Sequence, residues 1–536
     1  MKGISARFHY TIYVWSLIVF ALLINWSHTL VAIMNVELAV CWLLQPNLIG
    51  NIKLLLKRHS VLLFSAIFIL SIAGLSYTSN IHEGINQIKI VLPVFAFAVI
   101  FGTSPGLENR DFKTILYTFI FSTVASTFIN LYIFSNSYSS ISDLREISFF
   151  MSHIRYSLFI LIAVFSSYYY LFVKPETVRR IRIALYISFA WLTIFLFVLQ
   201  SITGIIIYFV ILLLIILIKI YRNRNTYFRL LLTSLIFIII VSITYTLVKN
   251  LHSFLNVKKV DISKLEKFTP RGIPYDTSYF NPSIENGHYV FTYVCVPELR
   301  ESWNKRSKIP FDSLDHKKQL ISFTMVRYLA SKNLRKDQDG INALTINDIT
   351  NIENGFTNYK YINKFSIDSR IYQIIWEIDW YLKGGNPQGN SLTQRFEFWR
   401  CAFAIIEDNF WFGVGTGDVR HNLNLYYSKT NSRLQRAKWF YPHNQYLTTM
   451  VRFGFLGLFL FILSYISAVL IEQKQRDYFV FLFTLILFLS MINEDTLETQ
   501  HGIVFFAFWG AFFLFSRKVE SNKESQANSI TDGNNS

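Results

Sequence analysis

Charge is scarce in this sequence. Of 536 residues only 16% are Asp, Glu, Lys or Arg, while 52% are hydrophobic and 17% aromatic, and the mean hydropathy is positive. Soluble globular domains carry about a quarter of their residues charged, so that class is excluded. Cysteine is scarcer still. Cys41, Cys295 and Cys401 lie far apart, with neither a disulfide framework nor a metal-ligand spacing among them. Cys41 falls in an apolar run, and a single Cys295–Cys401 bridge is the most the other two can make. Acid is short against base, 34 to 51, a formal net charge of +17. In a chain this apolar, that excess points to loops on one membrane face and to anionic lipid headgroups, not to nucleic acid. No cleavable signal peptide is evident, because the first apolar run leads straight into further ones.

What the sequence has in quantity is apolar runs long enough to cross a bilayer. We read spans near 9–26, 29–45, 60–77, 90–104, 114–134, 156–173, 183–200, 202–220, 230–248, 444–471, 478–493 and 502–516. Lys and Arg alternate in density between successive connections. One set holds Lys53, Lys57 and Arg58; Arg110 and Lys113; Lys174, Arg179, Arg180 and Arg182; Arg222, Arg224 and Arg229; Lys474 and Arg476. Lys2, Arg7, Arg517 and Lys518 share that side, while the alternate short connections hold little beyond Lys89, Arg145 and Arg155. By the positive-inside rule both termini are cytoplasmic and the number of spans is even. The expected fold is an all-α polytopic membrane protein with about twelve transmembrane helices. Its expected parts are a membrane region over 1–248, a large and mainly helical loop domain over 249–441, a second membrane region over 442–518, and a disordered cytoplasmic tail over 519–536.

The loop domain precedes the tenth span and is too long to lack structure of its own. Helices are expected from Asp315 to Leu334 and from Thr345 to Glu353, the latter capped by Thr345 or Asn347. Ile371, Ile374, Ile378 and Tyr381 make an apolar stripe, and Gly384-Gly385-Asn386-Pro387-Gln388-Gly389 breaks the chain after it. Ser391 and Gln394 have capping-box spacing, so a helix should start there, with Leu392, Phe396, Trp399, Phe403 and Ile406 as its apolar stripe. Arg395 then sits just inside a helix N-terminus. Two readings are open: a cation beside free N–H groups that together receive a phosphate, or a surface arginine paired with Glu397 or headgroups. The following Gly413-Val414-Gly415-Thr416-Gly417 lacks a preceding strand and a nucleotide-loop spacing, so it reads as a tight turn or a place where backbones approach.

Pro442-His443-Asn444-Gln445 opens the tenth span, with Pro442 suited to the first helical position. On such a helix His443, Leu447, Gly454 and Gly457 follow at spacings of four, seven and three and share one face. That puts one titratable ring at the helix mouth, above a glycine pair where another helix can pack closely. An interfacial histidine that only anchors the span is the other reading. Met491 to Glu498 forms an acidic turn between the last two spans. Acid so near a span usually has a partner. Glu494 or Glu498 polarises His443, binds hydroxyls of a substrate, or forms a structural salt bridge with an arginine.

These residues resemble the O-antigen ligase family, which includes O-antigen polymerases and protein O-oligosaccharyltransferases. Its pattern is His-Asn, nine residues, Gly, two residues, Gly, where a large periplasmic loop re-enters the membrane. Here it is His443-Asn444, nine residues, Gly454-Phe455-Leu456-Gly457. The family's Arg, later Trp, and Gly-x-Gly turn are matched by Arg395, Trp399 and Gly413-Val414-Gly415 or Gly415-Thr416-Gly417. Many members carry an Arg that binds the donor diphosphate where Gln200-Ser201-Ile202-Thr203-Gly204 stands here without one; Arg155, at another span mouth, is the candidate replacement. Residues from about 255 to 360 look like an elaboration outside the family's common core.

The resemblance implies a GT-C-like enzyme of the bacterial inner membrane, with its site facing the periplasm. It would move a glycan from an undecaprenyl-diphosphate carrier to an acceptor hydroxyl, without a cofactor or metal. His443 is the expected base, since a neutral imidazole with a pKa near 6.5 suits proton abstraction. Arg395 and Arg155 are the expected diphosphate ligands, permanently charged and bidentate. Asn444 orients the ring, Trp399 stacks on sugar, and Gly454, Gly457, Gly415 and Gly417 pack. Acceptors in competition are lipid A–core, which we favour, a growing glycan chain and a protein hydroxyl. The competing class is a transporter or flippase of lipid-linked sugars. It would show repeats, charges buried in mid-span and Pro- or Gly-broken helices; no clear repeat is present, and only Glu37 and Arg452 interrupt the span interiors. A scaffold or receptor role for the loop domain is a further alternative, and would leave His443 dispensable.

Overall fold

Among the described residues, eight helices are long and apolar enough to cross a membrane: Ala6–Leu23, Ile81–Thr103, Asn109–Asn136, His153–Val173, Arg179–Val198, Ile202–Arg222, Thr226–His252 and Gln445–Ile471. They belong to a computed structural model that describes residues 6–136, 147–223, 225–255, 257, 265–276, 283–362 and 367–517. The tail over 519–536, together with Lys2, Arg145, Arg224 and Lys518, falls outside the described residues. The segment expected at 29–45 is one arm of a pair, Thr29–Leu43 and Leu48–Lys57, bent by 103°. Those expected at 60–77, 478–493 and 502–516 are shorter apolar helices, Ala66–Tyr77, Tyr478–Met491 and Gln500–Phe515. Strand structure among the described residues is a hairpin of two-residue strands, Ile284–Glu285 with His288–Tyr289, plus isolated bridges. The protein is an all-α polytopic membrane protein.

The chain divides into two units, residues 1–218 with 397–536, and residues 219–396. The expected 249–441 domain is thus shared between them. In the first unit the core is aromatic: Phe20 stacks on Phe508 at 4.3 Å and Phe112 on Phe512 at 4.8 Å between ring centres. Such pairs add about 0.5–1.5 kcal/mol each beyond their area. Around them lie exposed Leu, Ile and Phe, as expected of a surface solvated by lipid. A second core cluster joins the helix Ser391–Asp408, through Phe398, Cys401, Ala402, Ile405 and Ile406, to Leu423, Tyr427, Leu447 and Val451. The expected stripe was therefore rotated: of its members only Ile406 is deeply buried, and Phe403 is 51% exposed. In a membrane protein apolar residues face out as well as in, so periodicity alone cannot choose the face.

The second unit packs the helices Val296–Arg306, Ile321–Ser331 and Ile346–Glu353 around Trp303, Met325 and Leu329. Thr345 caps the last of these in a capping box with Asp348. The helix expected from Asp315 starts only at Ile321. The Asp315 carboxylate takes the N–H of Lys317 and of Gln319 and the Thr324 hydroxyl, which stabilises a turn instead. On the helix Ile367–Leu382 the buried positions are Tyr372, Trp376 and Glu377, one residue off the expected isoleucine stripe. The reason is polar: Arg327 lies 3.6 Å over the Trp376 ring while bonding Glu285. All three cysteines are buried free thiols, so no Cys295–Cys401 bridge is present.

Candidate active site

Helix Gln445–Ile471 does not begin at Pro442. Asn444 is its N-cap, accepting the Leu447 N–H at 3.1 Å, and His443 has a left-handed backbone with φ +50°. For a residue with a Cβ that conformation costs about 1–3 kcal/mol and persists only where the surroundings enforce it. The enforcing group is Asp495. Its Oδ2 takes the His443 N–H at 2.7 Å, and its Oδ1 takes the Asn444 N–H at 3.2 Å and the Thr448 hydroxyl at 2.5 Å. Asn444 also donates through Nδ2 to the Ile492 carbonyl at 3.0 Å, and the Trp399 indole donates to the Pro442 carbonyl at 3.0 Å. The turn is held from three directions.

The imidazole this turn presents is 37% exposed, packs against Phe398 at 5.6 Å between ring centres, and has Nδ1 3.8 Å from Glu494 Oε1. The other oxygen of Glu494 faces Arg155 Nη2 at 3.4 Å, and Arg155 Nη1 donates to Ser152. Next to them Asn493 donates to Thr203 at 2.8 Å, so the stretch over 200–204 adjoins the same turn. Glu498 has a different fate. It holds both terminal nitrogens of Arg452, one at 2.8 Å, and Gln445 joins it at 3.2 Å. Arg452 is 2% exposed. Of the roles open to Glu498, the structure gives it the salt bridge.

Gly454 overturns the idea of one continuous face. With φ +66° and ψ −171° it breaks the helix, and what approaches there is a loop rather than another helix. Val414 N and Gly415 N bond the Val451 and Arg452 carbonyls, while Phe455 N and Leu456 N bond the Phe410 and Trp411 carbonyls. The glycines are dictated by contact. A Cβ on Gly413 would lie 2.5 Å from the Arg452 carbonyl carbon, and one on Gly417 2.0 Å from the Asn80 carbonyl oxygen. Gly415 has φ +91°, and Gly457 lies under the Phe453 Cβ. His443 therefore shares no helical face with Gly454 or Gly457.

Arg395 is half-buried near the start of the helix Ser391–Asp408, one turn before Trp399. Two groups escaped the sequence reading. Asp495 was lost among neighbouring acids, although acid beside a span was its signal. Arg420, which lies 5.9 Å over the ring of Tyr441, two residues before His443, gave none.

Residues 343–462 match the family model described as O-antigen ligase. The match covers 120 of the 536 residues, and over that stretch the chain is similar to the O-antigen ligase family. It takes in Arg395, Trp399, the glycine turn, His443 and both helix glycines, whereas Arg155 and the 494–498 turn lie outside it. No curated protein matches the chain.

Burial pushes the Asp495 carboxyl up to about 6, helped by the nearby Glu498, while Thr448 and the two backbone donors pull it down. A carboxyl raised in the folded state favours folding fully below its ordinary range, and that contribution is lost as pH rises through about 6. We expect thermal stability to increase on acidification from pH 8 toward 5 by an Asp495-dependent part of about 1–1.5 kcal/mol, one pH unit of linkage below the raised value. Melting curves of wild type and Asp495→Asn across that range test it; parallel curves would remove Asp495 as the source.

Proposed function

We propose that the protein is a metal-independent glycosyltransferase of the bacterial inner membrane. It moves a glycan from an undecaprenyl-diphosphate carrier to an acceptor hydroxyl, with lipid A–core favoured over a growing glycan or a protein. The charge distribution of the connections supports cytoplasmic termini and a periplasm-facing site. The observation that carries the reading is the exposed His443 ring in a strained turn, with Glu494 on one nitrogen and Arg155 beyond it.

Glu494 beside Nδ1 favours the tautomer with its proton there, leaving Nε2 as the base. Nε2 takes the acceptor's hydroxyl proton as that oxygen bonds to the anomeric carbon. The bond from that carbon to the diphosphate oxygen breaks, and the carrier leaves as its diphosphate. Arg395 and Arg155 neutralise the departing charge. Trp399 and Asn444 hold the histidine turn, so their part is positional.

The test is glycan profiling of cells carrying wild type, His443→Ala or Arg395→Ala, each checked for membrane expression. Removing a general base costs about 10²–10⁴ in rate. Both variants should accumulate carrier-linked glycan and lose the glycosylated acceptor, and the acceptor that disappears names the substrate. Full activity of His443→Ala would overturn the base assignment and revive the transporter and scaffold readings.

A further inference from the structure

Nothing in a Pro-His-Asn sequence requires a left-handed residue, yet His443 sits at φ +50°. Proline restrains the residue before it, not the one after. The next helix starts at Gln445 with its own cap, Asn444. The conformation is thus imposed by a tertiary contact. Asp495 is 5% exposed and comes from the turn joining the last two apolar helices. Its two oxygens divide between consecutive backbone N–H groups, those of His443 and Asn444. Here the two N–H groups converge on the carboxylate across the curl at His443, where φ is positive. Thr448, one helical turn below, fixes the carboxylate from the other side. The same turn places Glu494 Oε1 3.8 Å from the imidazole Nδ1, so backbone and ring of one histidine face adjacent residues.

We propose that Asp495 is the positioning residue of His443, its carboxylate setting the left-handed turn that aims the imidazole at the acceptor hydroxyl. The proposal rests on His443 being the base. The charged and titratable groups facing Asp495 are His443 and Arg452 on the re-entering segment, Glu498 on its own turn and Tyr427. None of these is a second acceptor for the two N–H groups. Asp495→Asn keeps the shape but offers one acceptor oxygen, and turns an amide N–H toward one of the donors.

The experiment uses the full chain in nanodiscs with an undecaprenyl-diphosphate-linked glycan as donor and compares wild type, Asp495→Asn, His443→Ala and the double variant. Asp495→Asn should lower kcat ten- to a hundredfold with the donor KM changed less than threefold. In the His443→Ala background it should cost nothing further, because the residue it positions is gone. A purely structural Asp495 would subtract its loss again in that background, which would overturn the proposal, as would wild-type kcat in the single variant. Should Asp495→Asn not fold, Thr448→Val removes only the lateral donor; a threefold or larger fall in kcat is expected, and an unchanged kcat would overturn the proposal. If His443→Ala itself stays active, the base assignment has failed instead, and the arms separate the two.

Discussion

Replacing Glu498 with glutamine will cost about 3–5 kcal/mol of stability, the range measured when one partner of a buried ion pair is removed. Arg452 lies in the helix Gln445–Ile471 at 2% exposure with both terminal nitrogens on Glu498. A guanidinium cannot give up its proton at any accessible pH, so without Glu498 a full charge stays buried. Glutamine would also aim an amide N–H at it. The loss should appear as a lower melting temperature in detergent and less protein in the membrane. Replacing both partners, as Arg452→Met with Glu498→Leu, should recover much of it, since an apolar pair removes the stranded charge. If Glu498→Gln melts with the wild type while losing activity, Glu498 belongs to the chemistry and not to the fold.

Gly454→Ala is expected to be equally severe, for a steric reason. The backbone there has φ +66°, and a Cβ would stand 2.2 Å from the Trp411 carbonyl carbon and 2.4 Å from the Phe412 nitrogen. These are main-chain atoms and cannot swing aside. Relieving the clash means withdrawing the 410–415 loop, with the four backbone hydrogen bonds that tie it to the broken helix. Gly384→Ala is the control: φ is +90° but nothing lies within 4 Å, so it should show only the conformational penalty of a Cβ at positive φ, about 1–2 kcal/mol. Membrane-inserted yield and melting temperature of the two variants separate the terms. Comparable behaviour would mean that contact at Gly454 is not what the glycine serves.

Much of this was legible in the sequence, and the errors share a cause. Long apolar runs announce helices because lipid demands internal hydrogen bonding, and the capping residues of the second unit, Thr345 with Asp348, stand in plain view. Facing was not legible: Phe403 and Phe398 are equally apolar, but only Phe398 is buried. The site was read by residue type and missed in geometry. A glycine in an apolar run looks like a packing notch, so Gly454 gave no sign of a break. A proline before histidine looks like a helix start, so the curl at His443 gave none either. Both depend on partners distant in sequence, the loop before residue 417 and the turn at 494–495. Glu498 and Asp495 are three residues apart with the same charge, and only the fold assigns one to Arg452 and the other to a backbone.

The interval between the His-Asn pair and the first helix glycine acquires a meaning from these contacts. Its upper end is clamped by the 494–495 turn, its lower end by the glycine loop, and the helical segment between them works as a ruler. Each residue of helix advances about 1.5 Å and turns about 100°. One residue added or removed between Gln445 and Phe453 would lift the histidine off its carboxylates or twist the break away from its loop. Neither clamp can follow, because each is fastened to other helices. The count of nine is a length and an angle, written into the chain as a number of residues.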